Sequence, residues 1–392
     1  MDISDLRIAL FSGNYNYTRD GANQALNRLV GSLLSRGAKV RVYSPKVANP
    51  DFAPTGELVG VPNIPMPVKG RGEYRVPTHL GAAVKRDLEA FAPNIVHLSS
   101  PDPSAHAALR WARARARGLP VLASVHTRFE TYPRYYNMAF LEPLIIKGLQ
   151  RFYNRCDALV APSQSMIDEL TAMGMHTRIG LWSRGVDRTI FSSARRDPEW
   201  RRRLGLADDD VAIVFLGRLV MEKGLDVFAE TAARLRDMGA PHKVLVIGDG
   251  PARGWFEANL PSGIFAGFKT GEALGQALAS GDVFFNPSVT ETFGNVTLEA
   301  MASGLPVVAA GATGSASLVA DGVTGQLVAP SGSMKTDAEA FAAALAPYCS
   351  DPALRAAHGS AGETRACEYS WEAINAVVAD TYVQLVEERR KA

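Results

Sequence analysis

The chain has 392 residues, more than one ordinary hydrophobic core supports, so two domains of roughly 150–200 residues are expected. Hydrophobic residues make up 47% and charged residues 21%, which excludes a disordered or fibrous chain. The formal net charge of +2 hides an uneven spread: residues 1–187 hold 23 Lys and Arg against 15 Asp and Glu, and residues 188–392 hold 19 against 25. That polarity does not match a nucleic-acid binder, which clusters basic and aromatic residues in one module. It suits either a basic half facing an anionic membrane or acidic ligand, or a solvated basic surface. Asp2 and Asp5 precede a short apolar run in place of the basic region of a secretory signal, and no apolar run approaches the roughly 18 residues of a membrane span. Cys156, Cys349 and Cys367 are widely spaced and odd in number, which argues against a disulfide framework and a zinc site. Seven scattered histidines without His-x-x-x-His spacing give no metal centre, and a reducing cytoplasm is expected.

In chain order, short β-branched runs alternate with helical stretches. "LRIALFSG", a helix through "NQALNRLVGSLLSRG" and "KVRVYSP" come first. "NIVHLSS", a helix through "AHAALRWARARARG", "PVLASVHT" and "CDALVAPS" follow. After a strand-like "RIGLWS" the theme repeats with "VAIVFLGRL", "HKVLVIGDG", "GIFAGF", "DVFFNPS", "LPVVAA" and "GQLVAP". Strands alternating with helices predict parallel sheets covered on both faces, here two Rossmann-like domains in tandem. The junction is expected near "GVDRTIFSSARRDPEW", giving residues 1–187 and 188–365. Residues 366–392 form a long amphipathic helix able to return to the first domain. Ligands of open parallel sheets bind outside the C-terminal strand ends, so two facing sheets predict a cleft between the domains.

The stretch "VTETFGNVTLEAMASGLPVV" carries two glutamates eight residues apart. On one helix they would diverge by about 80°, so Glu291 is placed in the loop before the helix and Glu299 inside it. Gly304 and Pro306 stop that helix. The backbone N–H groups of Phe293, Gly294 and Asn295 would then meet at a positive helix end, a ready anion site. The plainer alternative is a dipole partner and a surface salt bridge. "FLGRLVMEKGLD" sets Arg218 after a strand and Lys223 five residues on, two cations able to neutralise a diphosphate without a metal or to form a salt-bridged turn. "VIGDGPARG" offers Gly248 and Gly250, where a flat ring could approach the backbone. "FAGFKTGEAL" offers Gly267, Phe268 and Lys269 as a wall for a nucleobase. In the first half, "FSGNYNYTRDGANQAL" places Gly13, Asp20 and Gly21 in a loop opening a helix. It is not the G-x-G-x-x-G fingerprint, which counts against a nicotinamide dehydrogenase. "SVHTRFETYPRYYN" sets His126 at a strand end beside Arg128, Tyr132, Arg134, Tyr135 and Tyr136, a composition suited to a membrane interface.

Gly21, His126, "SRGVD" (Ser183 to Asp187), Arg218, Lys223 and the glutamate pair together resemble the retaining glycosyltransferases of family 4, which have the α/β GT-B architecture of two Rossmann-like domains facing a cleft. "HLSSP", "HTRFETYPRYYN" and "LWSRGVDRTIF" look most like the group holding GDP-mannose-dependent α-mannosyltransferases and sulfoquinovosyl-diacylglycerol synthases. The resemblance implies a nucleotide-sugar donor, UDP- or GDP-linked, a lipid acceptor at an anionic membrane surface on the cytoplasmic side, and no nucleic acid, metal or further cofactor. The first domain would take the acceptor and the second the nucleotide sugar. By the same resemblance, Glu299 would hold the ribose hydroxyls and Glu291 the sugar hydroxyls, while Phe293, Gly294 and Asn295 present backbone donors. Gly13, Gly21, Gly248, Gly267 and Phe268 would line the donor. Arg218 and Lys223 would stabilise the leaving diphosphate, and His126 would contact the donor sugar or place charge near the reaction centre. A front-face mechanism needs neither glutamate as nucleophile. The first loop reads Asp20-Gly21-Ala22 where many relatives have Gly-Gly. A soluble or polysaccharide acceptor, a GT-B nucleotide-sugar epimerase and a non-catalytic binding protein are the competing readings.

Overall fold

The computed structural model describes residues 1–18, 20–66, 74–115, 118–131 and 138–391. They divide into two compact units, Met1–Arg184 with Trp371–Ala392, and Gly185–Ser370. The division falls three residues before the expected junction, and residues 366–370 stay with the second unit. The amide of Val186 donates to the carbonyl of Tyr369 at 3.0 Å, tying together the two ends of that unit.

The first unit is built on strands β1 (Arg7–Phe11), β2 (Lys39–Ser44) and β3 (Glu57–Gly60), a small antiparallel pair β4 (Asn63–Pro65) and β5 (Arg75–Pro77), then β6 (Ile95–Leu98), β7 (Val121–Ser124), β8 (Ala158–Ala161) and β9 (Ile179–Leu181). Seven of them form one parallel sheet in the order β3-β2-β1-β6-β7-β8-β9. Every residue of β6, β7 and β8 is buried, the pattern of strands covered on both faces. The crossovers include α1 (Gly21–Ser35), α2 (Ala82–Phe91), α3 (Pro103–Arg113), α4 (Glu142–Tyr153) and α5 (Gln164–Ala172). Three start on side-chain caps: Asp20 accepts from the Asn23 amide, Asp102 from Ala105 and Ser163 from Met166, each worth about 1 kcal/mol. Asp20 thereby acquires a structural role beside Gly21, the first residue of α1. The helix expected through Gly118 ends at Arg113.

The second unit contains α6 (Pro198–Arg203), β10 (Ala212–Leu216), α7 (Leu225–Asp237), β11 (Lys243–Ile247), α8 (Arg253–Asn259), β12 (Gly263–Gly267), α9 (Gly271–Ala279), β13 (Val283–Asn286), α10 (Asn295–Ala302), β14 (Val307–Ala310), α11 (Thr313–Leu318), β15 (Gly325–Val328), α12 (Met334–Ser350) and α13 (Pro352–Ala366). Its parallel sheet has the order β12-β11-β10-β13-β14-β15, so successive strands step outward from β10 to one side and then, from β13, to the other. The final helix, α14 (Trp371–Lys391), belongs to the first unit. There Trp371 packs under the Arg28 guanidinium of α1, 5.1 Å from the ring centre, and Arg178 pairs with Glu388 at 2.6 Å. Among the described residues no helix is long and apolar enough to cross a membrane.

The loops leaving β10, β11 and β12 stay laced together beyond the strands. Gly217 donates to Ile247 at 3.1 Å, Leu219 to Asp249 at 2.9 Å and Gly248 to Gly267 at 3.0 Å. A Cβ on Gly248, whose φ is +143°, would lie 1.9 Å from the Gly217 carbonyl oxygen. The need for glycine there is set by the protein's own backbone, not by the flat ring the sequence reading brings to it. Gly248→Ala is therefore expected to destabilise the fold by more than about 4 kcal/mol, read as a lowered urea midpoint or loss of soluble protein. Gly239→Ala, with nothing within 4 Å, should cost far less.

Candidate functional site

In the second unit the order reversal lies between β10 and β13, where an open parallel sheet offers its ligand crevice. Of the residues singled out in the sequence, Arg218, Lys223, Glu291 and the start of α10 belong to the segments that follow those two strands. Lys223, half-buried in the turn before α7, donates its ammonium to Glu291 Oε1 at 2.5 Å. Thr290 Oγ1 donates to the Glu222 carbonyl at 3.2 Å. The β13 loop is anchored from inside: buried Asn286 accepts from the Ser288 amide at 3.1 Å and donates to Thr297 Oγ1 of α10 at 3.2 Å. Glu291 lies in that loop and Glu299 in α10, as the angular argument requires. Arg218 is exposed at the end of β10, and Glu299 is half-buried.

The start of α10 is set by Gly294, whose φ of +90° favours glycine and which supplies no side-chain cap. The amides of the first turn, Asn295 included, are therefore left at a positive helix end. The Phe293 side chain is buried and packs edge-on to Tyr369, 6.0 Å between ring centres, so only its backbone is available to a ligand. Behind it, a Cβ on Gly314 would come within 2.7–2.9 Å of the Phe293 carbonyl group and Glu291 Cβ. That close approach clamps the glutamate loop. Gly267 closes β12, and Phe268 stands 65% exposed beyond it. A lysine has three donors, so Lys223 can keep Glu291 and still serve an anion.

In the first unit the reversal lies between β1 and β6. Gly13, after β1, donates its amide to Ser100 Oγ at 3.0 Å, and Ser100 donates to Asp102 at 2.6 Å. His126 follows β7. Its Nε2 lies 2.7 Å from Ser124 Oγ and its Nδ1 2.8 Å from Arg184 Nη2. Ser124 Oγ lies 2.8 Å from His97 Nε2, and His97 Nδ1 meets the Tyr382 hydroxyl. Burial pushes His97 down to about 3 and Arg184 down to about 10. Burial, then the charge of Arg184, then His97, hold His126 well below the ordinary imidazole range. Arg128 is committed to ion pairs with Glu130 at 2.8 Å and Glu169 at 3.2 Å. Tyr132, Arg134, Tyr135 and Tyr136 lie outside the described residues.

Two family models match the chain. A family model described as Glycosyltransferase Family 4 matches residues 19–189, and one described as Glycosyl transferases group 1 matches residues 210–351. The sulfoquinovosyl transferase SQD2 of Arabidopsis thaliana is 32% identical over 94% of this chain and 71% of its own length. The chain is a family 4 glycosyltransferase. A GDP-mannose-dependent alpha-mannosyltransferase of Mycolicibacterium smegmatis is 32% identical to this glycosyltransferase over 82% of the chain and 84% of its own length. Among solved structures, sucrose-phosphate synthase from Thermosynechococcus elongatus superimposes with a TM-score of 0.76 at 20% identity, over 97% of this chain and 99% of the other. The glycosyltransferase therefore has the GT-B fold.

Sequence reasoning missed the partners of His126. His97 and Ser124 are polar residues inside the fully buried strands "IVHL" and "VLAS", and a polar group there must find a partner. That was the available signal. The glycosyltransferase should accordingly lose stability on acidification. With its folded value near 3 and an unfolded value near 6.5, His97 contributes stability that is complete above about pH 6.5 and is lost as pH falls toward the folded value. Urea unfolding is expected to weaken by up to about 1.4 kcal/mol per pH unit for this histidine, and His97→Gln should flatten that slope.

Proposed function

We propose that this glycosyltransferase moves a sugar, with retention of configuration, from a UDP- or GDP-linked donor held by the second unit to a lipid acceptor taken by the first. The observation that carries the donor assignment is the Lys223–Glu291 contact at the β10/β13 reversal, beside the uncapped start of α10. A diphosphate there would receive Arg218, Lys223 and the α10 amides. Charge growing on its leaving oxygen is the kind that fixed donors stabilise most. Glu291, already holding Lys223, turns its remaining lone pairs to sugar hydroxyls. Glu299, one turn into α10, takes the ribose. The two cations supply the positive charge that a metal ion would otherwise bring, so the reaction is metal-independent, with the leaving phosphate oxygen receiving the acceptor's proton.

The lipid acceptor, which the family resemblance implies, is supported by one surface of the first unit. Phe140, in the turn before α4, is 77% exposed and Leu144 in α4 68%, and exposed Lys147 and Arg151 follow at helical spacing along α4. Apolar tips beside basic residues suit an anionic bilayer surface on which the protein rests peripherally at the cytoplasmic face.

Two measurements check the parts separately. In a thermal-shift panel of UDP, GDP and their sugars, one base is expected to raise the melting temperature. Arg218→Ala and Lys223→Ala should each weaken that ligand by roughly 10–100-fold, and Glu299→Ala should abolish transfer while EDTA leaves it intact. Loss of turnover in EDTA overturns the metal-free mechanism. Vesicles rich in phosphatidylglycerol are expected to co-sediment the protein at low salt, and Phe140→Ser with Leu144→Ser to release it. Equal sedimentation of that double variant removes the assigned surface.

A further inference from the structure

The buried polar chain behind His126 has a direction. An arginine side chain carries donors and no acceptor, so the 2.8 Å contact from Arg184 Nη2 makes His126 Nδ1 an acceptor. A neutral imidazole then carries its proton on Nε2 and donates it to Ser124 Oγ at 2.7 Å. The Ser124 hydroxyl can then pass its own hydrogen to His97 Nε2 at 2.8 Å. His97, accepting there, donates from Nδ1 to the Tyr382 oxygen. Reversing either link at His126 would require Arg184 to accept a hydrogen bond or would leave the neutral ring without its proton.

We propose that Arg184 is a positioning residue that fixes His126 as the neutral Nε2–H tautomer in one orientation, with Ser124, His97 and Tyr382 completing the chain behind it. The anchoring is thorough. Arg184 is buried and commits two further donors, both from Nη1, to the carbonyls of Trp182 at 2.8 Å and Ser183 at 3.1 Å. The Trp182 ring lies under the Arg184 guanidinium at 4.9 Å and edge-on to His126 at 5.4 Å, and its indole N–H reaches Asn375 of α14. The backbone on either side is held as well: Val125 donates to Val160 at 2.9 Å and Trp182 to Ala161 at 2.8 Å. Among the described residues, Arg184 and His97 are charged or titratable groups that act on this ring.

This deepens the proposed function, resting on His126 as a residue of the transfer site, and it redefines what that residue does. With its Nδ1 lone pair held by a cation and its Nε2 proton held by Ser124, the imidazole has no site for the acceptor's proton. His126 shapes the pocket and leaves proton acceptance to another group, while α14, through Tyr382, becomes part of what orients it.

The test involves neither donor nor acceptor, so it stands apart from the fate of the lipid and nucleotide assignments. Long-range 1H–15N correlation spectra of the full chain with labelled histidines report the tautomer, and His126 is assigned by the signals lost in His126→Gln. The wild type is expected to show Nε2–H and no titration between about pH 5 and 8. Arg184→Lys, which keeps a donor, should retain the pattern. Arg184→Met should admit the Nδ1–H form or a titrating ring. If Arg184→Met does not fold, Ser124→Ala decides, since Arg184 alone must still hold Nε2–H. An Nδ1–H tautomer in the wild type, titration near about 6.5, an unchanged pattern in Arg184→Met or a flipped one in Ser124→Ala each overturns the proposal.

Discussion

The second unit of this enzyme depends on one constraint of parallel sheets: all strands end on the same edge, and where strand order reverses the loops part and leave a crevice. In the second unit that point falls between β10 and β13. Lys223 and Glu291, 68 residues apart in sequence, are brought into contact because their loops leave these two adjacent strands. The reversal also aims the start of α10 at the same place. The ion pair itself adds little stability, since its lysine is partly exposed and screened by water. Its consequence is geometric, a pre-oriented ammonium beside a carboxylate with lone pairs to spare.

Most supports of that crevice concern the backbone. The β10, β11 and β12 loops continue to hydrogen-bond past their strands, and Gly248 and Gly314 exist where a side chain would strike a neighbouring chain segment. Asn286 converts a buried polar position into two tethers for the glutamate loop. Rigidity of this kind lets charged groups act without reorganising as charge develops.

The first unit solves a different problem. His97, Ser124 and Arg184 are polar groups taken out of water, and each would cost several kcal/mol if left alone. Joined end to end they satisfy one another, and because the chain ends on a group that only donates, the proton of the neutral His126 ring has one place to sit. A fully satisfied buried network rigidifies its surroundings. Here it does so directly behind the β7 loop, with the last helix of the chain as its far wall.

The alternation of apolar runs and amphipathic stretches was enough to specify two parallel α/β units. Helix periodicity separated Glu291 from Glu299, and the glycine–proline stop after "EAMAS" marked the end of α10, because these are local properties of a few consecutive residues. The edge strand β3, half exposed, carries a weaker signal, and α3 stops short of its sequence pattern at Arg113. What only the tertiary structure decided is pairing at a distance. Lys223 takes Glu291, Gly248 answers to Gly217, and His126 is held by Arg184 and Ser124 because a sheet brings together loops and strands that the chain keeps far apart. Residue type tells which groups need partners, but strand order and burial choose them, and that choice is made by the whole core at once.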